Sequence, residues 1–243
     1  MELKIIYEDK NLLVVDKPAG IVIFPEGKII EKTLIDCLLE KFPNLKNVGN
    51  SPRYGVVHRL DKETSGILLV AKDNESLNFL QNQFKERRVT KRYLALAVGN
   101  IKEKQGTIRT LIDRAPKNRR KQKAYLSNEP GSEDRREAVT EYKVLERFCA
   151  KSGPATDRQA YTLLEVEPET GRKHQIRCHL AHIHHPIACD KLYGFKNQPC
   201  PEGLKRQFLH ASYLKIRLPG GEVKELKSDL TEDLKNVIKK LYF

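Results

Sequence analysis

The chain opens with Leu3-Lys4-Ile5-Ile6-Tyr7-Glu8-Asp9-Lys10-Asn11-Leu12-Leu13-Val14-Val15-Asp16, an alternating stretch, a polar break and an apolar run. Two extended runs joined by Asp9-Lys10-Asn11 spell an antiparallel hairpin. Lys17-Pro18-Ala19-Gly20 breaks it, and residues 21–24 are expected to resume extended structure. The same grammar recurs downstream. Residues 54–57 and 67–71 are β-rich around the polar turn 61–66. Residues 92–98, 107–112, 139–146 and 160–167 read as further strands. Residues 209–218 and 222–226 flank Pro219-Gly220-Gly221 as a last hairpin.

Helices are fewer. Thr33 with Asp36 has the spacing of a reciprocal cap, ahead of Leu34, Leu38 and Leu39. Asp73 or Asn74 caps a second helix carrying Leu77, Leu80 and Phe84. A third is expected to open at Gly171, with Ile176, Leu180 and Ile183 on one stripe, and to stop before Pro186. Leu234, Val237, Ile238 and Leu241 define a fourth. Hairpins outnumber βαβ units, so the fold class is α+β with a largely antiparallel or mixed sheet. Residues 114–123 are expected to form a basic loop, and residues 117–136, with Pro130-Gly131, a mobile insertion.

The 243 residues are 39% hydrophobic and 32% charged, enough apolar content for a buried core and too much for a disordered chain. Lys and Arg number 45 against 32 Asp and Glu, a net charge of +13. Such an excess speaks about partners: a basic groove gains free energy by releasing counterions from phosphates. The segment 114–123 concentrates this charge, with Arg119, Arg120 and Lys121 at its centre. No apolar run approaches a membrane span, and the first residues lack the apolar stretch of a signal peptide, so a cytoplasmic setting is expected. Cys37, Cys149, Cys178, Cys189 and Cys200 form no C-x-x-C pair and read as reduced thiols.

Three constellations carry chemistry. In His58-Arg59-Leu60-Asp61-Lys62-Glu63-Thr64-Ser65-Gly66 a carboxylate sits on a turn between extended runs, accessible yet fixed. The competing reading is a salt-bridged surface turn. In Gly171-Arg172-Lys173-His174-Gln175-Ile176-Arg177 two cations are expected in a first helical turn, tolerable where an anion binds. Arg177 lies beside the apolar stripe, where an Arg needs a carboxylate partner or must reach out to water. Lys91-Arg92-Tyr93 brings two cations and an aromatic ring onto a strand; Tyr93 either stacks on a base or only packs the sheet. His174, His179, His182, His184 and His185 crowd one segment, but they spread around a helix and H-E-x-x-H is absent, so no metal site is expected.

Together, His58-Arg59-Leu60-Asp61 with Thr64-Ser65-Gly66, and residues 171–177, resemble the RluA-type family of RNA pseudouridine synthases. Asp16-Lys17-Pro18-Ala19-Gly20, Lys91-Arg92-Tyr93, residues 182–186, Asp190-Lys191-Leu192-Tyr193-Gly194 and Leu209-His210-Ala211 match in the family's order. Phe24 stands where many members have His, and Cys189 where Gly is frequent. The resemblance implies an elongated mixed sheet with flanking helices and a central catalytic cleft. It implies one catalytic domain over residues 1–243, without the N-terminal RNA-binding domain that some members carry. The implied activity is isomerisation of uridine to pseudouridine in ribosomal or transfer RNA, without cofactor or metal. Asp61 would be the catalytic Asp, Tyr93 the Tyr that packs on the target base, and Arg177 the Arg paired with Asp61. Arg59 would help extrude the nucleotide, with His58, Arg172, Lys173, His174, Arg119, Arg120 and Lys121 on the substrate. A monomer with no membrane contact and no obligatory protein partner is expected. The alternative is a non-catalytic RNA-binding module, which leaves unexplained a carboxylate set among cations.

Overall fold

The computed structural model describes residues 3–25, 31–129, 131–148 and 160–242. Along the chain run β1 (Lys4–Glu8), β2 (Leu12–Lys17), α1 (Leu34–Lys41), β3 (Ser65–Ala71), α2 (Asn74–Lys85), β4 (Thr90–Val98), β5 (Gln105–Ala115) and β6 (Asn118–Tyr125). Then follow β7 (Arg136–Phe148), β8 (Tyr161–Pro168), α3 (Gln175–His182), β9 (Leu209–Arg217), β10 (Val223–Lys227) and α4 (Glu232–Tyr242). The α+β class is as read from the pattern of hairpins. The chain divides into two compact units, residues 1–90 with 211–229, and residues 91–210 with 230–243.

In the first unit the strand order is β1-β2-β3-β9, with β10 paired to β9. The pairs β1–β2, β2–β3 and β9–β10 are antiparallel. β2 and β3 are buried along their whole length, which is why each reads as an apolar run rather than an alternation. Their register sets Lys17 opposite Gly66. Gly66 has φ +112°, and a Cβ there would stand 2.2 Å from the Ala211 carbonyl oxygen, so only glycine fits between β3 and its neighbour. The expected caps form. Thr33 accepts from the Asp36 amide while the Asp36 carboxylate accepts from Thr33, and Asp73 accepts from the Ser76 amide.

In the second unit the order is β4-β8-β7-β5-β6, each pair antiparallel. Leu96, Leu164, Val166, Ile176, Leu180, Phe208 and Leu234 form its core, so α3 and α4 both pack on this sheet. Buried Arg206 donates from Nε to Asp233 at 2.8 Å and from Nη2 to Thr231 at 2.9 Å, tying the β9 approach to the first turn of α4.

Four expectations need correction. Residues 21–24 are not a strand. Residues 54–57 form a turn with one bridge, Val56 to Val70, because the chain must wrap closely there; a Cβ on Gly55 would lie 2.1 Å from the Ala71 carbonyl oxygen. Residues 114–123 are no loop but the ends of β5 and β6 across a two-residue turn, which takes up the first half of the expected insertion 117–136; residues 126–129 and 131–135 lie in no strand, and Pro130 lies outside the described residues. Cys189 and Cys200, with Cα atoms 5.1 Å apart, are joined as a disulfide rather than reduced; Cys37 and Cys178 are free and buried, and Cys149 lies outside the described residues.

His179 shows why the histidine cluster is not one site. It is fully buried on α3, with Nδ1 2.8 Å from the Thr140 hydroxyl and Nε2 3.0 Å from the Thr110 hydroxyl. Burial, with the nearby His182 charge, pushes it down to about 4 from an ordinary 6.5. The unfolded chain therefore takes up this proton first as pH falls. Stability that is complete above pH 6.5 should be lost as pH drops from 6.5 to about 4. The loss from this group is on the order of 3 kcal/mol, since each tenfold difference in proton affinity between folded and unfolded chain is worth about 1.4 kcal/mol. Denaturant midpoints of the wild type and His179→Gln across this window check it: the variant should lose less, and equal losses would exclude His179 as the source.

Candidate active site

Asp61 stands on the turn that leads into β3, half-buried, with its backbone carbonyl accepting from the Thr64 amide at 3.1 Å. The turn is held from below by Lys17, whose side chain is wholly buried. Its ammonium donates to the carbonyls of Pro18 at 2.9 Å, Lys62 at 3.0 Å and Thr64 at 2.8 Å. The Lys62 carbonyl also accepts from the Gly20 amide at 2.9 Å. A buried cation is tolerable only when its protons are bonded, so the turn and Lys17 stabilise each other. In the sequence Lys17 reads as part of a strand break and of a stretch that matches the family, with no role assigned to it. Its position at the end of an apolar run, ahead of Pro18, is the one clue to a structural role.

Two neighbours of Asp61 are tied to the fold. The His58 ring stacks on Phe84 with centroids 4.8 Å apart, and its Nε2 accepts from the Leu69 amide at 3.2 Å. Arg59 is exposed, and its guanidinium lies 5.4 Å from the Phe24 ring, with Arg53 at 5.2 Å from the same ring. Phe24 is therefore a platform for two cations in this sequence.

Tyr93, Arg177 and the remaining expected substrate residues belong to the second unit. Tyr93 is half-buried on β4 opposite Val166. Beside it Arg92 pairs with Glu167 at 3.0 Å, and Lys91 reaches the Thr170 carbonyl at 3.4 Å. The segment before α3 differs from expectation. His174 takes a left-handed backbone, φ 53°, and the helix begins at Gln175. Arg172 and Lys173 thus precede the helix rather than fill its first turn, and the dipole argument does not apply to them. Arg172 donates to the Glu137 carbonyl at 3.0 Å, and Lys173 is exposed. Gln175, missed in the sequence, is the buried organiser of this turn. Its oxygen accepts from Thr170 and the Arg172 amide, and its nitrogen donates to Val139 and Thr140.

Arg177 is buried on α3 and makes a bidentate pair with Asp190, Nε to Oδ2 at 2.7 Å and Nη2 to Oδ1 at 2.9 Å. Burial alone raises the Asp190 carboxyl, but the bonds and charge of Arg177, with the Tyr193 and Leu192 amides, outweigh it and hold it below the usual carboxylate range. The Tyr193 ring lies 5.1 Å from the Arg177 guanidinium. Arg119 and Arg120 are exposed on β6, and Lys121, partly covered, stands 6.0 Å over the Tyr193 ring. Among the described residues no group of three or more His, Cys, Asp or Glu is placed to hold a metal ion.

Comparison with known proteins gives this arrangement a lineage. Residues 11–182 match the model of the RNA pseudouridylate synthase family. An RNA pseudouridine synthase of Aquifex aeolicus is 41% identical over 83% of this chain and 59% of its own length. A ribosomal large subunit pseudouridine synthase D of Nitrosomonas europaea is 40% identical over 96% of this chain and 63% of its own length. The chain thus spans about three fifths of these two relatives. Among solved structures, human RNA pseudouridylate synthase domain containing 1 superposes with a TM-score of 0.74 at 29% identity, covering 99% of this chain and 95% of that one. The chain belongs to the RNA pseudouridylate synthase family, as an RluA-type member.

Proposed function

We propose that this chain isomerises uridine to pseudouridine in RNA, with Asp61 as the catalytic carboxylate. The observation that carries the reading is the turn at Asp61: a half-buried carboxylate on a loop fixed by a buried lysine. Rigid support of an accessible acid is what a catalytic group requires. Large-subunit ribosomal RNA is the substrate class, supported by the names of relatives such as that of Nitrosomonas europaea. A cytoplasmic setting goes with such a substrate.

In the reaction the N1–C1′ bond breaks, the uracil turns, and C5 bonds to C1′. The proton on C5 leaves and N1 gains one, so atoms and electrons balance without a co-reactant. Asp61 serves either as nucleophile on the sugar or as base at C2′, and both need it ionised. In this reading Arg177 is the cation assigned to act with it. A stacked base is out of reach, so the nucleotide must be flipped. Arg59 fills or grips the vacated position, and Tyr93 packs on the uracil. Lys173, exposed ahead of α3, and the hairpin cations meet phosphates, while His58, Arg172 and His174 support the backbone around them.

Asp61→Asn keeps the shape and removes the charge. It should abolish pseudouridine formation in a ribosomal RNA transcript while RNA affinity stays within about twofold; turnover near the wild-type rate would sink the assignment. Changing Arg119, Arg120 and Lys121 to Ala together should weaken RNA binding. It should also flatten the dependence of log K on log salt by about 0.7–0.9 for each phosphate that the variant no longer neutralises. An unchanged slope would mean that β6 does not touch the RNA backbone.

A further inference from the structure

The turn 190–193 places a carboxylate and a phenol on one arginine. Asp190, its side chain fully buried, accepts four bonds: two from Arg177, and two at Oδ1 from the Leu192 amide at 2.9 Å and the Tyr193 amide at 3.0 Å. The amides fix the carboxylate, and the carboxylate fixes the Nε–Nη2 edge of the guanidinium. Because the guanidinium is planar, fixing one edge also fixes where the other edge points. Tyr193 then closes the arrangement. Its ring lies against Arg177, while its hydroxyl accepts from the Gln122 amide on β6 at 2.7 Å and lies 3.1 Å from Nδ1 of His174. The His174 and Tyr193 rings meet edge to face at 5.7 Å. One phenol thus touches three elements: the arginine on α3, the turn that precedes α3, and the cationic strand β6.

We propose that Asp190 and Tyr193 are positioning residues for Arg177, Asp190 by orienting its guanidinium and Tyr193 by bracing it against β6. This rests on the catalytic role given above to Arg177. A buried Arg–Asp pair contributes little net stability compared with apolar packing, so a role in geometry accounts for it better than a role in folding. Neither residue touches the reacting atoms; both act through the guanidinium.

The test is a kinetic cycle on an in vitro transcript of large-subunit ribosomal RNA, with thermal midpoints measured in parallel. Four variants are compared: Arg177→Lys, Asp190→Asn, Tyr193→Phe, and Arg177→Lys combined with Asp190→Asn. Asp190→Asn should lower kcat at least about tenfold with KM nearly unchanged. In the Arg177→Lys background the same change should cost less than about twofold, because the group it positions is already gone. Tyr193→Phe, which removes only the hydroxyl, should lower kcat about threefold or more with KM nearly unchanged, while the thermal midpoint falls by only a few degrees. Wild-type kcat in Asp190→Asn, or equal losses in both backgrounds, overturns the proposal while leaving the role of Arg177 intact. Wild-type turnover by Arg177→Lys instead removes the role of Arg177, and the proposal with it. If Asp190→Asn does not fold, Tyr193→Phe decides: a reduced kcat upholds the proposal, and an unchanged one overturns it.

Discussion

A lysine ammonium sealed from water is stable only if its protons meet acceptors, and in the first unit those acceptors are backbone carbonyls on either side of Lys17. Two of them, Lys62 and Thr64, lie within the acidic turn, just after Asp61. The β2–β3 register carries Lys17 to that point, and Gly66 lets β3 start there without colliding with Ala211. The turn at Asp61 is thus a by-product of satisfying one buried cation. Loosening it would leave the ammonium in an apolar core, so the loop is held far more firmly than its polar composition implies.

The second unit solves a related problem with different chemistry. There a side-chain amide, Gln175, bonds four partners and thereby fixes the turn ahead of α3. Arg177, two residues on, is buried against Asp190. In both units polar groups near the proposed chemistry are sunk into the core and hydrogen-bonded there. Buried polar networks of this kind permit one arrangement of the backbone rather than several.

Much of this is legible in local sequence. The Thr33–Asp36 capping box and the Asp73 cap need only neighbours three residues away, and the first hairpin needs only a polar break between apolar runs. Strand β6 is not legible, because Asn118-Arg119-Arg120-Lys121-Gln122-Lys123 offers no apolar alternation to read. The start of α3 is hidden because the left-handed backbone at His174 sits on a residue that does not advertise it. Asp61 stands out as an acid among cations. Its supports do not: Lys17 looks like an ordinary polar strand end, and the Arg177–Asp190 pairing spans 13 residues, beyond the reach of helical spacing rules.

The cations of the β5–β6 hairpin are strand residues, and this changes how they meet a polyanion. Arg119, Lys121 and Lys123 all lie on β6, Lys123 in register with Asp113 and the other two at the register shift where Ala115 faces Asn118 and Arg114 faces Gln122. A loop would have to lose its conformational freedom on binding, whereas here the backbone was ordered in folding. The hairpin is consequently a source of charge whose ordering cost was met in folding.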